Sequence, residues 1–365
     1  MKIELITLHR VTNFGSLLQT YATQTFLNKE GYDVEVIDFV PEGLSFKRAI
    51  FPKAKTSLLK KLIKILPLII VNSVQYKMVN RFLKRHINLT QKRYKCYGDL
   101  LKEKPIADVY MTGSDQVWNT QNNNPPEDLK AYYLQFIGAE NKKIAYAGSF
   151  GKIDFFEEEK LLIGKWLKDY NAISVREDSA LTTLENLGIY NGVHVADPTL
   201  LLTAEDWKAF SKKEPPKEKY LFIYNLNRNK LLEKVAIEIA KQKNLKVINF
   251  ADSLEFVKGA KNRLCNTPMD FLNYISNADF VVTDSFHGTA FSLNFKKQFI
   301  SIPAPKYNSR LESILRKVNL IEKRYLNDFD ACIKASNENI DYTEITPILD
   351  EFIEESKNFL RSALK

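Results

Sequence analysis

The stretch Asn277-Ala-Asp-Phe-Val-Val-Thr-Asp-Ser-Phe-His-Gly-Thr-Ala-Phe-Ser-Leu-Asn294 decides the fold of this chain. Its apolar run, residues 280–283, is β-branched and aromatic and therefore predicts a buried strand. Asp284 and Ser285 are favourable helix-capping residues, so a helix is expected to follow and to cover residues 290–294. Because α/β proteins bind ligands at the carboxyl ends of their strands, this turn is the first candidate site.

The turn also carries residues that suit an anion. A helix N-terminus presents free N–H groups and the positive end of its dipole, and a glycine lets backbone approach a ligand closely. Ser285, Gly288 and Thr289 are therefore candidate ligands, and His287 is a candidate proton donor or anion ligand. The alternative is a histidine that only satisfies the helix cap.

Composition and length limit the possible classes of protein. The chain has 365 residues, of which 45% are hydrophobic and 27% charged, values typical of a globular protein with room for two domains. Its three cysteines have no metal-ligand or redox spacing, which favours a reducing compartment and predicts no metal site. No apolar run reaches transmembrane length and the first residues already fit a strand, so we expect a cytoplasmic protein.

The net charge of +9 comes from one segment. Between Lys47 and Lys95 there are 14 Lys or Arg and no Asp or Glu, which leaves 39 basic against 44 acidic residues elsewhere. We interpret residues 45–95 as a basic helical excursion that contacts the inner membrane surface or faces a phosphate-bearing substrate. An ordinary solvated helix is the alternative, and nucleic acid is not expected because no base-reading motif is present.

Strand and helix patterns alternate twice along the chain. The first series has strands at 2–8, 33–39, 107–112, 143–149 and 172–177, and the second at 220–224, 246–250, 280–283 and 299–302. Asp197-Pro198 interrupts regular structure between them. We therefore predict an N-terminal domain at 1–197, a C-terminal domain at 198–345 and a final helix at 346–365, capped by Thr346 with Pro347 at its first position.

Polar residues follow the first and third of these strands. Asn13, Ser16 and Gln19 lie at the first strand-to-helix turn, where a single glycine excludes a dinucleotide fingerprint. Residues after the strand at 107–112 are suited to sugar hydroxyls; they are Ser114, Asp115 and Gln116. Trp118 is expected to stack on a sugar face, with burial in the core as its alternative.

Two arginines are candidate anion ligands. Arg176 ends a strand, and a planar guanidinium suits a carboxylate or phosphate. A structural ion pair with Glu177 or Asp178 is the alternative for this residue. Arg310 follows the polar turn at 305–309 and is a further candidate.

These motifs together resemble the polysaccharide pyruvyl transferase family over residues 1–320. They are Asn13-Phe-Gly-Ser16 with Gln19, Gly113-Ser-Asp-Gln-Val-Trp-Asn119, Ser174-Val-Arg-Glu177 with Ser179, Asp197-Pro198 and Asp284-Ser-Phe-His-Gly-Thr289. The resemblance implies an α/β fold of two facing Rossmann-like domains, similar to that of GT-B glycosyltransferases, with the C-terminal helix returning to the N-terminal domain. One position departs from the pattern: Ser285 stands where some members carry an arginine.

The family also implies transfer of pyruvate from phosphoenolpyruvate to two sugar hydroxyls, as a ketal. Such a reaction needs cationic ligands for the donor, an acid and a base. His287 is the candidate acid, Arg176 and Arg310 the candidate clamps, and Asp115 the candidate base or sugar ligand. The expected acceptor is a sugar of a cell-surface polysaccharide precursor, free or lipid-linked, and neither a further cofactor nor a metal is expected.

Three other functions fit the same sequence. A nucleotide-sugar glycosyltransferase would release a nucleotide and form a glycoside, whereas a pyruvyl transferase releases phosphate and forms a ketal. A non-catalytic sugar- or lipid-phosphate-binding protein would bind ligand without turnover. A membrane-associated scaffold would depend on the basic segment alone.

Overall fold

The computed structural model describes residues 1–45, 58–120, 126–151, 155–214, 216–251 and 256–365, with residues 58–65 described by their backbone alone. Two compact units are present. Unit 1 comprises Met1–Phe51, Val79–Leu201 and Phe352–Lys365, and unit 2 comprises Pro52–Met78 and Leu202–Glu351. Residues 46–57 of the predicted basic excursion lie outside the described residues.

Unit 1 is built on a sheet of seven parallel strands. They are β1 (Lys2–Ile6), β2 (Asp33–Phe39), β3 (Leu89–Tyr94), β4 (Val109–Thr112), β5 (Lys142–Gly148), β6 (Ala172–Val175) and β7 (Val193–His194). Their order is β3-β2-β1-β4-β5-β6-β7. The chain moves outward in one direction from β1 and in the other from β4, so the boundary between these two strands is a topological switch point, where such sheets bind ligands.

The helices of the first part of the chain follow these strands. They are α1 (Phe14–Lys29), α2 (Leu58–His86), α3 (Tyr97–Lys102), α4 (Pro126–Tyr132), α5 (Glu157–Leu167) and α6 (Ser179–Asn186). Strand β4 is buried at every position, as expected when helices cover both faces of a parallel sheet. The core beside it is aromatic and includes Tyr110, Trp118, Tyr132 and Tyr133.

Unit 2 has a smaller sheet of the same kind. Its strands are β8 (Tyr220–Tyr224), β9 (Lys246–Phe250), β10 (Lys261–Arg263), β11 (Phe280–Thr283) and β12 (Phe299–Ser301). All are parallel, in the order β10-β9-β8-β11-β12, which places a second switch point between β8 and β11. The helices are α7 (Ala204–Ser211), α8 (Lys230–Gln242), α9 (Pro268–Ser276), α10 (Phe286–Asn294), α11 (Ser309–Lys317), α12 (Ile321–Arg324) and α13 (Phe329–Ser336).

The last helix, α14, spans Tyr342–Leu364, and its final part belongs to unit 1. Its Arg361 donates to both carboxylate oxygens of Glu30 at 2.9 and 3.0 Å. The predicted start after Thr346 is wrong: the helix begins at Tyr342, five residues before Pro347, and Asp341 accepts the backbone N–H of Thr343 at 2.8 Å. Pro347 therefore lies inside the helix rather than at its first position.

The two α/β series of the sequence are confirmed as two parallel sheets. The predicted basic excursion is wrong in one respect, because residues 89–94 form an edge strand of the first sheet rather than a helix. Lysine and arginine are common on edge strands, where they protect the free edge. Over the part of the chain that the structure describes, no helix combines the length and apolar character needed to span a bilayer.

Candidate active site

The switch point of unit 1 is closed by Asp115, which directly follows β4. Its backbone is left-handed, with a φ of 79°, a strained conformation for a residue with a side chain. One carboxylate oxygen accepts the hydroxyl of Ser16 in the first turn of α1. The other accepts the backbone N–H of Gln116 at 2.9 Å. Asp115 thus ties the loop after β4 to the helix that follows β1.

The turn before α1 is held by short polar contacts. Asn13 is the N-cap, and its side chain accepts the N–H of Gly15 at 2.8 Å. The amide of Gln19 is fully buried and donates to the Thr7 hydroxyl at 2.9 Å and to the Ser16 carbonyl at 3.0 Å. Gln19 therefore positions the loop, whereas Asn13 is partly exposed and remains a candidate ligand.

Arg176 lies in a buried ion-pair network. Its guanidinium donates to Asp197 at 2.8 Å and to Asp115 at 3.3 Å, and its side chain is only 1% exposed. Ser114 is also buried and donates to the same Asp197 oxygen at 3.0 Å. Burial acts to lower the pKa of Arg176, but Asp197, Asp115 and the adjacent Glu177 outweigh it and raise that pKa.

This network changes the role expected for Arg176. The sequence left open an anion clamp or an ion pair with Glu177 or Asp178, and the structure shows an ion pair with Asp115 and Asp197. A guanidinium enclosed by carboxylates does not present its donors to a ligand, so we revise Arg176 from clamp to positioning residue. Three carboxylates against one guanidinium give this network a net negative charge.

Trp118 is a core residue, and the expectation that it stacks on a sugar face is wrong. It is fully buried, with one stacked contact to Tyr133 at 5.6 Å between centroids and a tilted contact to Phe150 at 5.0 Å. A Cβ at Gly148 would lie 2.7 Å from the indole ring, so the strand β5 needs glycine where it crosses the tryptophan. Its burial leaves Asp115, Gln116 and Asn13 as the candidate ligands of unit 1.

A second polar cluster in unit 1 was not foreseen from the sequence. Asp38, near the end of β2, accepts from Arg10 at 2.5 and 2.8 Å and from Arg93 at 2.8 Å. His9 lies 3.1 Å from the same carboxylate. Although burial opposes ionisation, these donors hold the pKa of Asp38 below its ordinary value. The only sequence signal was the pair His9-Arg10 after a strand.

In unit 2, helix α10 starts at Phe286, earlier than the sequence predicts. Ser285 is its N-cap, with a hydroxyl that accepts the N–H of Gly288 at 3.3 Å, as expected from the sequence. Gly288 packs on β11, and a Cβ there would lie 2.3 Å from the Thr283 hydroxyl. Only glycine lets the helix begin this close to the strand.

Asp284 closes the switch point of unit 2 much as Asp115 closes that of unit 1. Its two carboxylate oxygens accept the N–H groups of Leu226 and Asn227 at 2.8 and 2.9 Å, in the loop after β8. Burial raises the pKa of Asp284 above its ordinary value, against the effect of these two donors. The carboxylate therefore acts as a tie between β8 and β11.

His287 occupies the first turn of α10 and is 4% exposed, with its ring edge against Phe286 at 5.1 Å. Thr289 is fully buried, and its hydroxyl lies 2.6 Å from that of Ser301. The Thr289 side chain is thus engaged within the fold rather than directed at a ligand. Ser285 is likewise used as a cap, which leaves His287 as the candidate side chain at the positive end of the α10 dipole.

Three cationic residues follow the strands at this edge of the second sheet. Arg228 follows β8, and Lys306 and Arg310 follow β12. The two loops are held together by Asn229, which caps α8 and donates to the Pro303 carbonyl at 3.1 Å. These loops also adjoin the Asp284–Gly288 turn. The edge therefore combines the positive end of the α10 dipole, three cationic residues and one buried carboxylate.

Among the residues that the structure describes, no group of three or more His, Cys, Asp or Glu side chains is placed to hold a metal ion.

Comparison with known proteins identifies the class. Residues 13–304 match the sequence model of the family described as Polysaccharide pyruvyl transferase, and the chain belongs to that family. No curated protein matches the chain significantly.

Solved structures with GT-B-type folds resemble the chain over nearly its full length. A putative UDP-N-acetylglucosamine 2-epimerase from Listeria monocytogenes has a TM-score of 0.56 at 10% identity, covering 97% of this chain and 90% of that one. The UDP-GlcNAc 2-epimerase of Methanocaldococcus jannaschii has a TM-score of 0.52 at 14% identity, with 93% and 92% covered. Arabidopsis thaliana UGT89C1, complexed with UDP, has a TM-score of 0.53 at 11% identity, with 100% and 98% covered. These likenesses confirm the GT-B-like fold.

Proposed function

We propose that this transferase moves pyruvate from phosphoenolpyruvate to two hydroxyls of a sugar in a cell-surface polysaccharide precursor. The product is a ketal, and phosphate is released. The observation that carries the proposal is the position of His287 in the first turn of α10, at a sheet edge that also carries Arg228, Lys306 and Arg310. A donor with both a carboxylate and a phosphate requires such an edge.

The donor is assigned to unit 2 on this ground. The N-terminus of α10 would hold one anionic group of phosphoenolpyruvate, and the cations would hold the other. Ser285 replaces the arginine found in some relatives, so the missing charge must come from elsewhere. We assign that role to Arg310, which lies in the first turn of α11.

The proton transfers follow from the chemistry of an enol phosphate. His287, as acid, gives a proton to the CH2 carbon, which becomes the methyl group and leaves positive charge on the adjacent carbon. A sugar hydroxyl bonds to that carbon and loses its proton to a base, and the C–O bond to phosphate breaks. A second hydroxyl then bonds to the same carbon, and its proton leaves with the phosphate.

The acceptor is assigned to unit 1. Its switch point carries the carboxylates of Asp115, Asp197 and Glu177, which suit the hydroxyl groups of a neutral sugar and disfavour an anionic donor. Asp115 is the candidate base, and Asn13 and Gln116 are candidate hydroxyl ligands. Arg176 and Asp197 hold Asp115 in place.

The setting of the reaction is part of the same proposal. We place the enzyme in the cytoplasm, where phosphoenolpyruvate is available, acting on a precursor of capsule or exopolysaccharide. The precursor in this proposal is a lipid-linked oligosaccharide at the inner membrane face.

The test is product analysis with the full chain. The enzyme would be incubated with phosphoenolpyruvate and a panel of free and lipid-linked sugars, with phosphate release and product mass as readouts. In deuterated water, the new methyl group should gain one deuterium per transfer, because its third hydrogen comes from solvent through the acid. A ketal without that label would contradict the protonation step, and failure to form a ketal with any acceptor would contradict the proposal.

One other function has structural support. The resemblance to proteins solved with UDP favours a nucleotide-sugar glycosyltransferase as the second candidate. A parallel incubation with UDP-sugars distinguishes the two. Release of UDP with formation of a glycoside would replace the proposal, whereas phosphate release that depends on phosphoenolpyruvate and acceptor would support it.

A further inference from the structure

Helix α2 exposes one continuous face that changes from apolar to basic along its length. From residue 66 onward, where side chains are described, this face includes the exposed Leu66, Ile70 and Val74, followed by the exposed Lys77, Arg81, Lys84 and Arg85. At the 100° that separates successive residues of an α-helix, these seven positions fall within an arc of roughly 100°. The face therefore runs along one side of the helix for about 28 Å.

The apolar part of this face is unusual for a soluble surface. Leu66 is 60% exposed, Ile70 57% and Val74 37%, and they follow one another at four-residue intervals. The buried residues of α2 lie on the opposite side of the helix; they are Val71, Val79, Phe82 and Leu83. The opposite side of α2 thus has its own packing partner, and the exposed stripe is not needed for folding.

The basic part of this face is exposed as well. Within the described part of the chain, no carboxylate forms an ion pair with Lys77, Arg81, Lys84 or Arg85. The segment around them, Lys47 to Lys95, contains 14 basic and no acidic residues in its sequence. A second copy of this chain would bring like charges together on this face, so the charge pattern favours an anionic partner.

We propose that this face of α2 docks the protein on an anionic lipid bilayer. The three aliphatic side chains enter the boundary between headgroups and acyl chains, and the four cations lie among lipid phosphates. The helix lies on the surface, as its basic half requires. The inference does not depend on the identity of the reaction.

Vesicle flotation with the full chain tests this inference. Vesicles of phosphatidylglycerol and phosphatidylethanolamine should bind the protein, vesicles of phosphatidylcholine alone should bind it weakly, and binding should fall as salt rises. Replacing Lys77, Arg81, Lys84 and Arg85 by Gln should lower partitioning by roughly five-fold per charge. The double variant Leu66→Ser and Ile70→Ser should lower it as well, at every salt concentration.

The matched control removes the same charge elsewhere. Lys165, Lys168, Lys217 and Lys219 are exposed, and their replacement by Gln should leave binding nearly unchanged. Thermal denaturation shows that each variant is folded. The inference is overturned if wild-type protein fails to float with anionic vesicles, or if the control variant loses as much binding as the α2 variant. Equal binding to phosphatidylcholine vesicles would overturn the role of the basic half.

Discussion

At the two switch points, some residues hold the candidate sites in place and others remain to act on a ligand. Ser285, Thr289 and Gln19 all belong to the motif set, yet each uses its side chain for a hydrogen bond within the fold. His287 differs because it lies in the first turn of α10, at the positive end of the helix dipole. Within its motif, it is the side chain whose chemistry suits proton donation.

Replacing His287 by Ala should lower turnover by roughly 10²- to 10⁴-fold, because a general acid contributes on that scale. Affinity for phosphoenolpyruvate should fall much less. Steady-state kinetics at saturating donor and acceptor measure the first, and titration calorimetry the second. His86→Ala is the matched control, since that ring packs on Tyr21 and Phe82, outside both motif turns, and its loss should leave turnover intact in folded protein. Wild-type turnover in His287→Ala would mean that the motif is structural.

Arg176 should matter first for stability. Its replacement by Met leaves Asp115 and Asp197 buried without their cation, and loss of one partner of a buried pair costs about 3–5 kcal/mol of unfolding free energy. Arg176→Lys should recover only part, because an ammonium cannot reproduce the two-sided contact. Urea unfolding measures both. If Arg176→Met instead keeps its stability and loses donor affinity, the clamp role is restored.

Glu4 should make stability depend on pH. Burial, aided by Glu35 and opposed by Lys2, raises the pKa of this carboxyl to about 8 from an ordinary value of 4.5. Its contribution to stability is complete below the ordinary value and is lost as pH rises toward the folded value.

In Glu4→Gln that loss is absent. Relative to wild type, the variant should gain unfolding free energy from about pH 5 to about pH 8, by up to about 4 kcal/mol, at about 1.4 kcal/mol per pH unit. Urea unfolding at several pH values checks this. A difference that stays constant across the range would show that Glu4 ionises normally in the folded protein.

At the scale of elements, the contact between α10 and β11 depends on Gly288. A Cβ at this position would lie 2.3 Å from the Thr283 hydroxyl and 3.0 Å from its Cβ, so Gly288→Ala forces the helix away from the strand. We expect a loss of about 1–3 kcal/mol in unfolding free energy and a marked fall in donor affinity.

Gly98→Ala is the control for that substitution. Gly98 lies in α3, and an added Cβ there meets only the Cys96 sulfur at 3.7 Å. Alanine should be neutral or stabilising by up to about 1 kcal/mol, because it favours the helix. Thermal unfolding of the two variants checks this. Equal changes in unfolding temperature for Gly288→Ala and Gly98→Ala would contradict the packing argument.

Elements with strong local signals were predictable from the sequence. The strand at 280–283 and its Ser285 cap were recognised because β-branched runs and capping residues act locally. Strand β3 was missed, since an edge strand with Lys92 and Arg93 lacks a continuous apolar run. The start of α14 was misplaced because proline is common in the first turn of a helix, whereas Pro347 lies inside this one.

Contacts between distant residues were not predictable. Arg176 meets Asp115 across 61 positions of sequence and Asp197 across 21, and no periodicity encodes such a pairing. Trp118 was expected at a ligand because it lies in a polar motif, but its ring is directed into the aromatic core. Sequence patterns located the turns, but the partner of each side chain could be identified only from the fold.

At the scale of the whole molecule, the two sheets differ in the charge of their candidate sites. The Arg176 network and the Asp38 cluster of unit 1 together hold four carboxylates and three guanidinium groups, whereas the unit 2 loops carry Arg228, Lys306 and Arg310 with one buried carboxylate. This difference underlies the assignment of an anionic donor to unit 2 and a neutral sugar to unit 1. The assignment can therefore be tested one unit at a time, because the affinity for each substrate should change with variants of one unit only.

The most direct measurement is phosphoenolpyruvate affinity, by titration calorimetry, of wild type, Arg310→Ala and Asp115→Asn. The account predicts that Arg310→Ala weakens donor binding by at least about ten-fold, as loss of a charged hydrogen bond of 1.5–3 kcal/mol requires. Asp115→Asn should leave donor affinity nearly unchanged and lower turnover with the acceptor. Unchanged affinity in Arg310→Ala together with lost affinity in Asp115→Asn would contradict the account, because the donor would then bind in unit 1.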